Sequence, residues 1–261
     1  MGDGGYCRAG ADVKESGFAS RILYCDIDCV VVNKVPGEAV EGAGKGMVDL
    51  PRLLAGELSN PDREPAWALP AENALAMPTA VHRLDVPVSG CAVFARTSGA
   101  LAFLSAAFAN QAVEKKYWAI VELPESALPA AENKKTELVH WIQFDSKRNK
   151  SIACNEPGPG RKKAVLRYRQ AGKGENYLFL EVELVTGRHH QIRAQLAQLG
   201  LHVKGDLKYG ARRSERNGGI RLHARSLSFP NPTENGSRIT VLADPPLSDN
   251  LWQAFQLTVG S

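Results

Sequence analysis

His82-Arg83-Leu84-Asp85-Val86-Pro87-Val88-Ser89-Gly90-Cys91-Ala92-Val93-Phe94-Ala95-Arg96 is the stretch on which the reading of this chain turns. A polar cluster runs directly into an apolar strand over residues 90–96, and Ser98 follows as an N-cap for a helix reaching about Ala109. Downstream, a strand begins near Val113 and runs through Lys115-Lys116-Tyr117-Trp118-Ala119-Ile120-Val121, where β-branched and aromatic residues dominate. Upstream, residues 22–34 hold two short apolar stretches divided by Asp26 and Asp28, with Val30-Val31-Val32 as a buried strand. Val35-Pro36-Gly37 stops that strand, a short helix is expected over 47–58, and 60–70 reads as a loop. Further strands are expected over 137–144, 163–169, 177–184, 220–229 and 238–242, with helices over 188–199 and 247–255. Strands outnumber helices without regular alternation. This predicts an α+β fold with a mixed, largely antiparallel central sheet flanked by helices and loops.

With 261 residues, 44% hydrophobic and 23% charged, the chain can bury its own core, and a monomer is expected. No apolar run approaches the roughly 18 residues of a membrane span, and Met1 to Gly10 has no apolar h-region, which places the protein in the cytoplasm. Five scattered cysteines without a CxxC pair argue against a disulfide framework and a zinc site. The net charge of +4 is unevenly spread: residues 161–225 carry 15 Lys and Arg against 5 Asp and Glu. Such asymmetry suits a face that binds a polyanion, although a solvated surface explains it as well.

Several motifs fail on context. Gly42-Ala43-Gly44-Lys45-Gly46 lacks the Ser or Thr and the spacing of a phosphate loop. Asp26-Ile27-Asp28 precedes its strand, so turn chemistry explains it better than a catalytic pair. His189-His190 has no carboxylate at helical spacing, and adjacent side chains on a helix point in different directions, which removes a metal reading.

Three segments remain: His82 to Gly90; Lys116-Tyr117-Trp118-Ala119; and Thr186-Gly187-Arg188-His189-His190-Gln191-Ile192-Arg193, which opens a helix with Ile192, Leu196 and Leu199 on its core face and Gly200 at its end. Singly, Asp85 reads as a turn residue, Tyr117 as core and Arg193 as a surface cation. Together they resemble the RluA family of pseudouridine synthases, marked by HRLD before Thr-Ser-Gly, a Lys-x-Tyr-x-Ala strand and a Gly-Arg-Thr-His-Gln-Ile-Arg helix start. The resemblance covers residues 22–229 and includes Asn33-Lys34, Gly205-Asp206 with Tyr209-Gly210, and Leu222-His223-Ala224. Val88 and His189 each stand where the family has Thr, Leu201-His202 where it often has His-Pro, and Val35 interrupts Asn-Lys-Pro.

The resemblance implies a catalytic domain over 21–261, after a flexible segment 1–20, that isomerises uridines of structured RNA, rRNA or tRNA, without metal or organic cofactor and without an obligate protein partner. Asp85 is then the catalytic carboxylate, acting as nucleophile on sugar or base or assisting proton removal from C2′. Arg193 is its partner, holding the carboxylate by a guanidinium fork, so that Arg193→Lys is expected to lose turnover while folding normally. Tyr117 forms a wall of the uracil pocket, and Arg83 braces the position that the extruded nucleotide vacates. His82 reads as a structural hydrogen-bonding residue. Arg161, Lys162, Lys163, Arg212 and Arg213 are candidates for holding the RNA backbone. Two alternatives stand beside this one: a non-catalytic RNA-binding protein on the same scaffold, and a hydrolase using Asp85, for which no water-activating set is found.

Overall fold

The computed structural model describes residues 17–60, 74–124, 134–246 and 249–259. The expectations for 1–16 and for 61–70 lie outside these residues. Along the chain the elements are β1 (Ile22–Cys25), β2 (Cys29–Lys34), β3 (Glu38–Ala39), β4 (Val48–Asp49), α1 (Leu50–Leu58), β5 (Ala74–Ala80), β6 (Ser89–Thr97) and α2 (Ser98–Ala109). There follow β7 (Glu114–Glu122), β8 (Thr136–Asp145), β9 (Lys150–Cys154), β10 (Lys162–Lys173), β11 (Tyr177–Leu184), α3 (Gln191–Gln198), β12 (Leu222–Pro230), β13 (Arg238–Leu242) and α4 (Asn250–Val259). The architecture is the mixed, mostly antiparallel α+β fold that the sequence predicts. The described residues form two compact units, those within 1–114 and 225–246, and those within 115–224 and 247–261.

In the first unit the strands run β1-β2-β6-β12, with β5 added to β6 and β13 to β12. The β1–β2 turn works as its sequence suggests: Asp26 Oδ1 accepts from the amides of Asp28 (2.8 Å) and Cys29 (2.7 Å), so the carboxylate closes the turn. Val30, Val31 and Val32 are fully buried, and every residue of β6 is buried, as a central strand requires. Val93 and Val31 lie in a core continued by Leu104 of α2 and Phe229 of β12. Two boundaries differ from expectation. The cap of α2 is Thr97, which accepts from Ala100 N at 3.2 Å, one residue before the serine. Helix α1 starts at Leu50, because Asp49 caps it and Pro51 suits its first turn, while Val48 and Asp49 pair with β3.

In the second unit the antiparallel order is β7-β11-β10-β8-β9. One face carries Ile142, Ala153 and Ala164, packed on Ala194 of α3 and on Tyr209. On the other, Trp118, Ile120 and Phe179 pack on Trp252 and Phe255 of α4. Helix α3 begins at Gln191, three residues later than expected. Its buried face includes Ile192 and Leu196, but also Arg193 and Gln195, whereas Leu199 is exposed. Gly200 sits at φ +74°, the left-handed position that ends a helix.

Candidate active site

Asp85 lies on the turn between β5 and β6, half-buried between buried Leu84 and buried Val88. Pro87 keeps this segment out of a helix, and Val88 N donates to Asp85 O at 3.0 Å to close the turn. The turn is stapled from β2. Lys34 at the end of that strand is wholly buried, and its ammonium donates to the carbonyls of Val35 (3.2 Å), Val86 (2.9 Å) and Val88 (2.6 Å). Gly37 N also donates to Val86 O, at 3.0 Å. Burial pushes Lys34 down from its ordinary 10.5 to about 8, with the negative charges of Glu38 and Asp85 opposing the fall. Glu38 is fixed in turn by Arg21, through Nη1 to Oε1 at 2.9 Å and Nη2 to Oε2 at 2.5 Å, and it accepts from Val35 N at 2.9 Å.

The neighbours of Asp85 in the motif divide by role. His82 is structural, as expected: its Nε2 accepts from Val93 N at 3.2 Å, and its ring stacks on Phe108 with centroids 4.8 Å apart. Arg83 points outward, with three quarters of its side chain exposed and Nε 3.0 Å from Glu41 Oε1. The exposure leaves it available to a large polyanion, and a pair this exposed holds it only weakly.

In the second unit, Tyr117 stands on β7 opposite Val182 and is 7% exposed. Lys115 shares its face of the strand and is also buried, which lowers its pKa. The segment before α3 is organised by Gln191. Its Oε1 accepts from Arg188 N (3.0 Å) and from Thr186 Oγ1 (2.8 Å), and its Nε2 donates to Val165 O (3.1 Å). These bonds hold Thr186 to His190 as a loop rather than as helix, and His190 takes a left-handed φ of 48°. Consequently His189 and His190 do not point apart. Their rings stack with centroids 3.8 Å apart, which corrects the helical geometry assumed from the sequence.

Arg193 is no surface cation. It is 4% exposed, and its fork grips Asp206 through Nε to Oδ2 at 2.7 Å and Nη2 to Oδ1 at 2.9 Å. Its guanidinium lies 4.9 Å from the centroid of the Tyr209 ring, whose hydroxyl accepts from Ser151 N (2.8 Å) and meets His190 Nδ1 (3.0 Å). The expected phosphate-binding cations are scattered: Arg161 bonds Glu156 O and Gln143, Arg212 approaches Glu122, and Lys162 and Lys163 face opposite sides of β10. Lys34 and Asp206 were visible only as parts of a resemblance. Nothing in the sequence spacing assigns Asp206 to Arg193, although a buried arginine requires a carboxylate or its equivalent.

Among the described residues no group of His, Cys, Asp and Glu is arranged to hold a metal, and no helix is long and apolar enough to cross a membrane. Burial pushes the Cys25 thiol up to about 11 and Cys91 to about 12, away from nucleophilic use at neutral pH.

The fold is shared with solved pseudouridylate synthase domains. The human protein titled RNA pseudouridylate synthase domain containing 4 superposes with a TM-score of 0.65 at 22% identity, over 93% of this chain and 94% of that one. Residues 28–198, which include Arg83, Asp85, Tyr117 and Arg193, match the family described as RNA pseudouridylate synthase. An uncharacterized RNA pseudouridine synthase of Zymomonas mobilis is 30% identical, over 81% of this chain and 88% of its own. Another from Bacillus subtilis is 31% identical over 81% of this chain, which spans 64% of that relative's length. The ribosomal large subunit pseudouridine synthase D of Z. mobilis is 29% identical over 86% of this chain and 69% of its own. The chain belongs to the RNA pseudouridylate synthase family.

Proposed function

We propose that this protein isomerises uridine to pseudouridine in structured RNA, with Asp85 as the catalytic carboxylate and Arg83, Tyr117 and Arg193 as substrate-binding residues. The observation that carries the proposal is the stapled turn. A buried lysine donates to three backbone carbonyls around a half-buried aspartate, and the motif holding it falls within the family match. Such rigidity suits a carboxylate that must meet a reacting atom at a fixed place.

In the reaction the bond from C1′ to N1 breaks, the base turns, a bond from C1′ to C5 forms, and the hydrogen of C5 leaves to solvent while N1 gains a proton. The change is redox-neutral and adds no atoms from a cofactor, so side chains can supply its acid, base and nucleophile. Extrusion of the target base costs a few kcal/mol, and stacking on an aromatic wall such as Tyr117 returns about 1–3 kcal/mol. Residues 21–261 then act as one catalytic domain. The substrate is rRNA or tRNA, and the name of the Z. mobilis large-subunit relative favours rRNA. The proposed setting is a monomer in the cytoplasm.

Pseudouridines mapped across total RNA from cells with the protein, without it, and with only the Asp85→Ala form test the reading. A site lost in both deficient strains supports it and names the target. A site retained in the Asp85→Ala strain removes this carboxylate from the chemistry, and the loss of no site in either strain leaves an RNA-binding protein on this scaffold.

A further inference from the structure

The departure at His189 acquires a reason in the second unit. Phe144, near the end of β8, is half exposed, and its ring meets His189 edge-on with centroids 4.5 Å apart. His189 stacks on His190, which meets Tyr209 edge-on at 5.6 Å. Ser151 Oγ locks this arrangement by donating to His189 O at 2.6 Å and lying 3.1 Å from His189 Nδ1. An aromatic ring is thus presented to solvent on a braced support.

The surroundings of that ring are cationic. Lys162 is opposite Ile142 in the ladder, and Phe144 is two residues beyond Ile142 on the same strand, so both side chains project from the face that α3 covers. Lys162, Arg188 and Lys208 are exposed, and Lys150 lies 5.0 Å from the centroid of the Tyr209 ring. Lys208 is anchored at the hairpin turn by a bond to Asn149 O at 3.1 Å. The carboxylate of Asp145 is engaged at the hairpin turn, accepting from Arg148 N at 3.2 Å and lying 3.9 Å from Arg148 Nη1.

We propose that Phe144 and His189, with Lys150, Lys162, Arg188 and Lys208 around them, form a stacking platform for an unpaired nucleotide of the substrate RNA. A flat apolar ring ringed by cations suits a base with its phosphates better than a protein surface, whose apolar contact would need a wider patch. Because the ring is already held by His189, little conformational freedom is lost when a base covers it. The proposal rests on the RNA-modifying reading given above and assigns to it a site outside the Asp85 turn.

The test uses the full chain and a fluorescein-labelled single-stranded RNA of mixed sequence, with a duplex of the same sequence as control, titrated by anisotropy at several salt concentrations. Phe144→Ala is expected to weaken single-strand binding at least about fivefold and to leave duplex binding unchanged. Phe144→Tyr restores it to within about twofold, which separates stacking from loss of fold. The double variant Lys162→Gln with Lys208→Gln flattens the dependence of log K on log salt by about 1.4, about 0.7 per lost phosphate contact. Single-strand affinity unchanged in Phe144→Ala overturns the proposal. So does a loss of self-association in sedimentation with RNA binding intact, which would assign the face to a second copy of the chain. Pseudouridine formation by the unaltered protein is measured separately. If it is absent while binding still depends on Phe144, the synthase reading falls and the platform stands; if it is present and binding ignores Phe144, the platform alone falls.

Discussion

Lys34→Met separates two things that the buried lysine does. Its burial carries a cost, since a fall in pKa from 10.5 to about 8 corresponds to about 3 kcal/mol against the charged form. Methionine fills a similar volume without that cost. In exchange, the carbonyls of Val35 and Val88 lose the ammonium as donor, at about 1–3 kcal/mol each, while Val86 O keeps the Gly37 amide. The net effect on folding lies between a gain of about 1 and a loss of about 3 kcal/mol. Turnover should respond far more strongly. The turn carrying Asp85 loses its staple, and a displacement of about 1 Å at a reacting group costs on the order of a hundredfold.

Urea unfolding gives the first quantity, and tritium release from RNA labelled at C5 of uridine gives the second. Turnover within about threefold of the parent at similar stability would refute the view that Lys34 positions Asp85. The pH dependence supplies an independent check. The folded pKa lies below the unfolded one, so the unfolded chain binds more protons between pH 8 and 10.5, and the contribution of Lys34 to stability rises across that window. In the same window turnover should fall, because a neutral amine has two hydrogens for three carbonyls. Lys34→Met should abolish the rise in stability.

The other predictions concern the second unit. Asp206→Asn leaves the Arg193 charge buried without its carboxylate and should cost about 3–5 kcal/mol of stability, read by urea unfolding. Arg193→Lys keeps the charge but loses the fork, and the burial of the pair means that it should also destabilise the fold, by about 1–3 kcal/mol, besides abolishing turnover. Gly205→Ala places a methyl group 2.8 Å from Glu215 Cγ and 3.0 Å from Gly219 O at φ +91°, and should destabilise by more than about 1 kcal/mol in the same assay. Phe255→Ala empties the centre of the cluster formed with Trp118 and Phe179, for about 3–5 kcal/mol and a lower thermal midpoint.

The elements legible in the sequence are those whose own residues prefer their conformation. Runs such as Val30-Val31-Val32 and Tyr117 to Val121 announce β2 and β7, and β11 and β13 fall where their patterns end. The missed strands lack that preference. Lys150-Ser151-Ile152-Ala153-Cys154 becomes β9 only because β8 offers a partner, and β5 contains Pro78 and three alanines. The start of α3 was misplaced because the side chain of Gln191 ties down the loop before it, a tertiary choice that helical periodicity does not encode.

The site was legible in its chemistry but not in its support. Hydrophobic patterning treats a lysine at a strand end or an arginine in a helix's first turn as solvent-facing, because burying a cation is costly. Lys34 and Arg193 are buried nonetheless, and each meets the cost with several directed bonds: three carbonyls for the ammonium, a carboxylate fork and an aromatic face for the guanidinium. An apolar residue at Lys34 could support the fold about as well, and so could an apolar pair replacing Arg193 and Asp206 together. What it could not do is fix a polar turn or a helix start through geometry that tolerates little displacement. Buried cations that the fold does not require therefore mark the parts of this chain where position matters more than stability, and Asp85 sits on one of them.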